Sequence, residues 1–350
     1  MRILFLCKRQ PQGRDLLLRP FGRFFHLPAR LAERGHTVHV AALSHRRLPS
    51  LEREFAGVRW SADDLLQDGP LAYLRRVANL AAHEKPDWIV GCSDTYYGIL
   101  AVRTARRCGA RAAVDAYDNF ESYLPGAWPL HLQWRRALRA ADQVTAAGPQ
   151  LAEHLREQGA RRVEILPMAA DPSFVPMNAR ECRRAIGLDP DVKYVGCAGS
   201  LDPKRGGPLL AQAARLLVRR RPEVQVLVSG RHAPDAAPAL RYVGMLADDA
   251  VPRFVNSLDV AFVPVLPNAF GRFSYPAKLY EAIACGRPVA AADTEPTRWI
   301  LQNRAEHMFR ANDPAALVAC LEANLDRGAA AYPPQRDWTA LGADYERMLG

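Results

Sequence analysis

The sequence predicts an α/β protein of two doubly wound units, each a parallel sheet with helices on both faces. Two observations carry this. Short apolar runs suited to buried strands alternate with longer segments that are apolar on one helical face only. That alternation then restarts after a polar, Pro-containing stretch, and the 350 residues are enough for two domains. The expected division is residues 1–172, a linker at 173–192, a second unit at 193–337, and a closing helical segment at 338–350.

The first unit opens with an apolar strand at residues 2–7, a loop from Lys8 to Pro20, a helix through about Arg34, and a strand from Thr37 to Leu43. Gly35 just past the helix marks its end. The loop has no GxGxxG phosphate fingerprint, only Gly13 and Gly22. Instead Arg14, Arg19 and Arg23 are interleaved with Leu16, Leu17, Leu18, Phe21, Phe24 and Phe25. Two readings stand: a membrane-interface segment whose arginines meet anionic headgroups, or a helix packed into the core.

Helices at Leu71–His83 and Ile99–Cys108 alternate with strands at Asp87–Val90 and Arg111–Val114. In an open parallel sheet ligands gather outside the carboxyl ends of strands. Asp94, after the first of these strands, and Asp118 and Glu121, after the second, are therefore candidate site residues, with capping and turn formation as their ordinary alternatives. The helix Leu130–Ala140 sets Arg135, Arg136 and Arg139 beside Leu132, Trp134 and Leu138. It is a second candidate membrane-facing element, or a solvated face. A strand at 141–146, a helix at Pro149–Gln158 and a strand at Arg162–Pro167 complete the unit.

The second unit begins with strand Tyr194–Ala198, the loop Gly199 to Gly207, and helix Pro208–Arg220. Strand Val224–Val228 leads to Ser229-Gly230-Arg231, and Tyr242-Val243-Gly244 follows. Next come helix Pro252–Ser257, strand Val260–Val263, and the stretch Phe273–Asp293, which reads as loop, helix, turn and strand. Ser274 is expected to cap that helix, Pro276 to take its first position, and Gly286 to end it before the strand Val289–Ala292. Lys278 stands near its N-terminus, where N–H groups favour an anion, and Glu281 stands one turn on, suited to sugar hydroxyls.

Composition narrows the chemistry. No run of 18 apolar residues exists, and the apolar start is too short for a signal peptide. The seven cysteines have no CxxC spacing and the nine histidines no ligand spacing, which points to reduced thiols in a cytoplasmic protein and to no metal. The net charge is +10, with ten Lys/Arg against two Asp/Glu in residues 1–50, so an anionic partner is expected. Nucleic acid is not that partner, since no recognition motif accompanies the charge.

The ordered set Gly199-Ser-Leu-Asp-Pro-Lys-Arg-Gly206, Tyr242-Val-Gly244, Ser257-Leu-Asp-Val-Ala-Phe-Val-Pro264 and Pro276-Ala-Lys-Leu-Tyr-Glu-Ala-Ile-Ala-Cys-Gly-Arg-Pro-Val289 resembles retaining GT-B glycosyltransferases of the bacterial family 4 (group 1) type. In the first half, Leu31-Ala-Glu-Arg-Gly-His-Thr-Val38, Ala141-Asp-Gln-Val144 and Ile165-Leu-Pro-Met-Ala-Ala-Asp-Pro-Ser-Phe174 agree with it. The resemblance implies two Rossmann-like domains facing a cleft, with a nucleotide diphosphate-sugar on the second and the acceptor on the first. It implies that Lys204 and Arg205, with Lys278, hold the diphosphate and Glu281 the ribose. Gly199, Ser200, Gly230, Gly244, Tyr275 and Leu279 complete the expected donor set. Asp118, Glu121 and Asp94 are the expected catalytic and acceptor-side residues. Arg19, Phe21, Gly22, Arg23, Arg135 and Arg136 form the expected acceptor or membrane contacts. No cofactor is implied beyond the donor itself. The acceptor expected from the resemblance is a cell-envelope glycan or a polyprenyl-linked one at the inner membrane face, and the final helix is expected to return to the first domain.

Three positions depart from the family pattern. Ser200 stands where many members have a phosphate-binding Arg, Phe273 where the EX7E motif has its first Glu, and Tyr117 where many have a His. Lys278 is a candidate replacement for the lost arginine charge. The alternative function is a non-catalytic GT-B protein that binds nucleotide or glycan beside a partner enzyme.

Overall fold

The computed structural model describes residues 1–199, 201, 206–231, 240–328 and 330–350. By its internal contacts the chain divides into two units, Met1–Met168 with Arg336–Gly350, and Ala169–Gln335.

The first unit holds β1 (Arg2–Lys8), α1 (Arg23–Glu33), β2 (Thr37–Ser44), β3 (Leu51–Phe55), β4 (Val58–Asp64), α2 (Gly69–Glu84), β5 (Trp88–Cys92), α3 (Thr95–Cys108), β6 (Arg111–Ala116), α4 (Trp128–Ala140), β7 (Gln143–Ala146), α5 (Pro149–Glu157) and β8 (Val163–Ile165). Its sheet runs β3-β4-β2-β1-β5-β6-β7-β8 and is parallel except for β3, which pairs antiparallel with β4. The central strands are buried on both faces, which is why they read as unbroken apolar runs instead of alternating ones. The β3–β4 hairpin was not expected from the sequence. Its outer strand, Leu-Glu-Arg-Glu-Phe, is mostly charged, as an exposed sheet edge tolerates, and so lacks the apolar signature of the others.

The second unit holds α6 (Ala179–Ala185), β9 (Lys193–Ala198), α7 (Gly207–Arg220), β10 (Val224–Ser229), β11 (Leu240–Tyr242), α8 (Ala250–Ser257), β12 (Val260–Val263), α9 (Ala277–Ala284), β13 (Val289–Ala292), α10 (Glu295–Ile300), β14 (Met308–Phe309) and α11 (Pro314–Arg327). Its described strands form a parallel sheet in the order β11-β10-β9-β12-β13-β14. Val195, Val226, Val260, Phe262, Phe309 and Leu317 are in its core. The stretch 173–192, expected as a linker, contains α6, whose Asn178 cap accepts from the Arg180 and Glu181 N–H groups. Arg183 ties it down by donating to the Ser257 carbonyl and pairing with Asp259 at 2.7 Å. A buried arginine, not an apolar run, anchors this helix, so periodicity does not reveal it.

The last helix, α12 (Trp338–Leu349), belongs to the first unit. Asp337 caps it, Trp338 stacks on His26 of α1 with centroids 5.2 Å apart, and Tyr345 lies against Phe5. Glu346 accepts from Arg34 and meets His36 at 2.6 Å.

Candidate functional site

Both sheets reverse their strand order at one point, and polar residues collect at the carboxyl ends there, as expected for α/β ligand sites. In the second unit the reversal lies between β9 and β12. The Gly199 N–H, after β9, donates to the Ser229 carbonyl at the end of β10, and the Gly230 N–H donates to the Gly244 carbonyl after β11. The three glycines therefore line one edge without side chains. Lys278, from the first turn of α9, reaches that edge: its Nζ lies 3.4 Å from the Cys197 sulfur, and a Cβ on Gly199 would stand 3.6 Å from it. A half-buried ammonium beside Gly199 and in the first turn of a helix makes a place where a phosphate group can approach backbone.

Gly206, immediately before α7, has φ +89°, and a Cβ there would meet the Pro264 ring at 2.7 Å. Only glycine brings the start of α7 this close to the chain leaving β12. Ser200, Lys204 and Arg205 lie outside the described residues.

Two features of the Phe273–Asp293 stretch differ from expectation. Pro276 is the cap residue and the helix starts at Ala277, while Ser274 makes no capping bond because it closes the preceding 3-10 turn. Leu279 turns its side chain fully into the core, and its N–H bonds the Pro276 carbonyl. Tyr275 is also buried, edge-on to Trp299 with centroids 5.6 Å apart. Glu281 sits half-buried on α9, one turn after Lys278.

In the first unit the reversal lies between β1 and β5. Asp94 caps α3, its Oδ1 accepting from the Thr95 N–H at 2.7 Å and the Thr95 hydroxyl at 3.2 Å. Burial raises its carboxyl above the ordinary 3.8, against the pull of those bonds and of Lys8. Ser93 just before it holds a left-handed backbone, φ 75°, and its Oγ accepts the Lys8 N–H at 2.8 Å. His45, following β2, bonds the Tyr97 hydroxyl through Nε2 at 3.1 Å. Burial, then Lys8, lowers its pKa from 6.5, while Asp94 and Asp64 oppose. Lys8, His45, Ser93, Asp94 and Tyr97 thus form one polar group at the carboxyl ends of β1, β2 and β5. Sequence reasoning picked out only Asp94. His45 stands directly after an apolar strand, and the same carboxyl-end rule applied to β2 finds it.

Asp118, after β6, is buried and accepts from the Tyr123 hydroxyl at 2.8 Å. The Tyr117 hydroxyl lies 3.3 Å from that of Tyr123. Burial, reinforced by Asp118, raises the pKa of both tyrosines, so they remain neutral donors. Glu121 is held in a two-pronged ion pair by Arg135 of α4, at 2.9 and 2.8 Å. Arg135 is likewise engaged there, whereas Arg136 is exposed.

The loop 8–22 divides between the core and the surface. Arg23, expected at the acceptor or membrane, is 1% exposed and forks onto Asp115 of β6 at 2.9 and 2.6 Å. It also donates to the Leu166 carbonyl and the Met168 sulfur. Arg9 is buried too, paired with Asp15 at 3.0 Å, and this folds the loop so that Leu16 and Leu17 are fully buried. Leu18 and Arg19 are at the surface, Phe21 lies half-buried beneath the Arg14 guanidinium at 4.2 Å, and Gly22 precedes α1 with φ 60°.

Among the described residues no group of three or more His, Cys, Asp or Glu is arranged to hold a metal. The Asp189-Pro190-Asp191 triplet is a turn in which the Asp191 N–H bonds Asp189 and Asp191 pairs with Arg180 at 2.5 Å. No described helix is long and apolar enough to cross a membrane.

Residues 23–169 match the family profile described as a glycosyl transferase 4-like domain, and residues 192–327 match glycosyl transferases group 1. A phosphatidyl-myo-inositol mannosyltransferase of Mycolicibacterium smegmatis is 31% identical over 165 residues, 42% of each chain. A lipopolysaccharide core biosynthesis mannosyltransferase of Rhizobium meliloti is 26% identical over 252 residues, 63% of this chain and 70% of that one. The matched part thus spans less than half the length of the mycobacterial relative. Among solved structures, sucrose-phosphate synthase of Thermosynechococcus elongatus superposes with a TM-score of 0.73 at 16% identity, covering 100% of this chain and 94% of that one. The Anabaena HepE protein in complex with UDP-glucose superposes at 0.69 and 13% identity, covering 100% and 95%. At these identities the superpositions speak for the fold, two Rossmann-like domains of the GT-B type.

Proposed function

This chain belongs to the group 1 glycosyltransferases of GT-B fold, and we propose that it moves a sugar from a nucleotide diphosphate-sugar to a cell-envelope glycan or lipid-linked acceptor, with retention at the anomeric carbon. In the transfer the bond from C1 to the diphosphate oxygen breaks, a bond from C1 to the acceptor oxygen forms, and the acceptor hydroxyl loses its proton. Negative charge grows on the departing diphosphate, and fixed donors aimed at it lower the barrier. The observation that carries the reading is Lys278 beside the glycine edge of β9, β10 and β11. Its ammonium faces the growing charge, and the first N–H groups of α9, at Ala277 and Lys278, add the helix-terminal dipole. Glu281, one turn on, holds the ribose in this reading, and Lys204 and Arg205 add positive charge to the diphosphate. The transfer needs no metal here, because these cations supply the neutralisation.

On the acceptor side we assign Asp94 with His45, and Asp118 with Tyr123, to hold acceptor hydroxyls. A lipid-linked acceptor is supported by α4 and the turn before it: Leu124, Trp128 and Leu132 recur every four residues and are 47, 68 and 46% exposed. Trp128 and Leu132, one turn apart within α4, share one helical face, Leu124 lies in the turn before it, and the exposed Arg136 follows them, the arrangement of an interfacial helix.

Thermal unfolding against a panel of nucleoside diphosphates and their sugars tests the donor site. A ligand at 100 times its dissociation constant stabilises the fold by about 2.7 kcal/mol. Lys278→Ala is expected to weaken the effective nucleotide by about 10- to 100-fold, the worth of one charge-assisted bond. Absence of a shift with every nucleotide, or a shift unchanged in Lys278→Ala, overturns the assignment.

A further inference from the structure

The amino ends of β7 and β8 carry a second polar feature, at the edge of the first sheet opposite Asp94 and Asp118. There an open cleft of about 660 Å³ is lined by Arg106, Arg136, Arg139, Arg161 and Arg162, with Asp142. Three separate segments supply the arginines: the end of α3, the end of α4, and the turn between α5 and β8. The bland explanation is that cations sit well at helix C-termini. It covers Arg106 and Arg139, which are in the last turns of α3 and α4, but not Arg136, Arg161 or Arg162.

The charges are poorly compensated from within. Arg162 shares Glu164 at 3.2 Å, while Arg106, Arg136, Arg139 and Arg161 form no ion pair among the described residues. Asp142, the one acid of the lining, spends a carboxylate oxygen on the Ala112 N–H at 2.8 Å. The arginines are also not all free to splay apart. A Cβ on Gly159 would lie 2.6 Å from Arg139 Nε and 2.8 Å from its Cγ, so this glycine lets the Arg139 side chain run along the turn that delivers Arg161 and Arg162. Like charges gathered around one cleft oppose each other, and an anion between them relieves that repulsion. Guanidinium forks match the oxygens of a phosphate better than those of any neutral ligand.

We propose that this cleft is a phosphoanion site, taking a diphosphate or a phosphate monoester, distinct from the place assigned above to the sugar nucleotide. It does not depend on that assignment. The ligand is either a free phosphorylated metabolite or the phosphate of a lipid headgroup, and the two sources share the chemistry that the arginines recognise.

The test uses the full chain and two probes. Inorganic pyrophosphate is titrated by calorimetry into wild type, Arg136→Glu/Arg161→Glu and Lys278→Ala. In parallel the same proteins are sedimented with phosphatidylcholine vesicles that contain or lack phosphatidic acid. Both arginines are exposed, so the double variant is expected to fold; Arg106→Gln serves as a milder second variant. Each lost phosphate contact weakens binding by about tenfold, so the double variant is expected to lose about 100-fold. Lys278→Ala leaves this binding in place. Loss confined to pyrophosphate identifies a soluble ligand, and loss confined to phosphatidic acid vesicles that Arg161→Glu alone reproduces, with Arg136 of α4 kept, identifies a lipid one; vesicle loss that needs the Arg136 substitution belongs to α4 and not to the cleft. If the arginine variants bind both probes as wild type does, or wild type binds neither, the site does not exist.

Discussion

Replacing Arg23 by Met separates a core arginine from a membrane-facing one. Methionine keeps much of the apolar stem and removes the guanidinium. The structure surrounds that guanidinium with Asp115, the Leu166 carbonyl and the Met168 sulfur, and both members of the ion pair are at most 3% exposed. Its removal leaves the Asp115 carboxylate buried with the Thr145 hydroxyl as its remaining donor at 2.6 Å. Breaking a buried pair from one side costs about 3–5 kcal/mol. For a unit of this size that corresponds to a fall in melting temperature of about 6–20 °C. Urea unfolding followed by tryptophan fluorescence reads it, since Trp60, Trp88 and Trp134 are all buried in the same unit. A compensating Asp115→Asn in the Arg23→Met background removes the stranded charge and is expected to restore about 2 kcal/mol. If Arg23→Met unfolds within about 0.5 kcal/mol of wild type, the range of ordinary surface substitutions, and loses vesicle binding instead, the buried assignment is wrong.

Two further outcomes are expected. His45 has its pKa lowered in the folded state by burial, so the unfolded chain takes up a proton first, at about 6.5. Its contribution to stability is complete above that value and is lost as pH falls through the lowered one, and His45→Gln should flatten the decline in urea midpoint between about pH 7 and 5. A decline unchanged in the variant assigns the acid sensitivity elsewhere. Trp128→Ser/Leu132→Ser should weaken sedimentation with anionic vesicles by about tenfold or more, from the apolar area withdrawn from lipid, while leaving nucleotide-induced stabilisation intact. Equal binding by the double variant removes α4 from the membrane reading.

Much of this protein is determined locally, and the sequence alone carries it. Parallel strands buried on both faces must be apolar throughout, so β1, β2, β5, β9, β12 and β13 announce themselves. The turn chemistry around Gly286 and the order of the glycine-containing strand ends do the same for the second unit. Elements whose stability comes from partners far along the chain are illegible: β3, an edge strand of charged residues, and α6, anchored by Arg183 on Asp259. Side-chain destination is the other limit. Arg23, Arg135 and Arg136 look alike in sequence, yet one is buried on Asp115, one is spent on Glu121, and one lines an arginine cleft. A guanidinium is stable in water or in a fully bonded buried site, and only the positions of carboxylates far away in sequence decide which it occupies. For the same reason His45 joins Asp94 and Lys8 only once β2, β5 and β1 lie side by side. The sequence determined that polar side chains follow the buried strands; the tertiary structure decided which of them meet and which are taken up by distant partners.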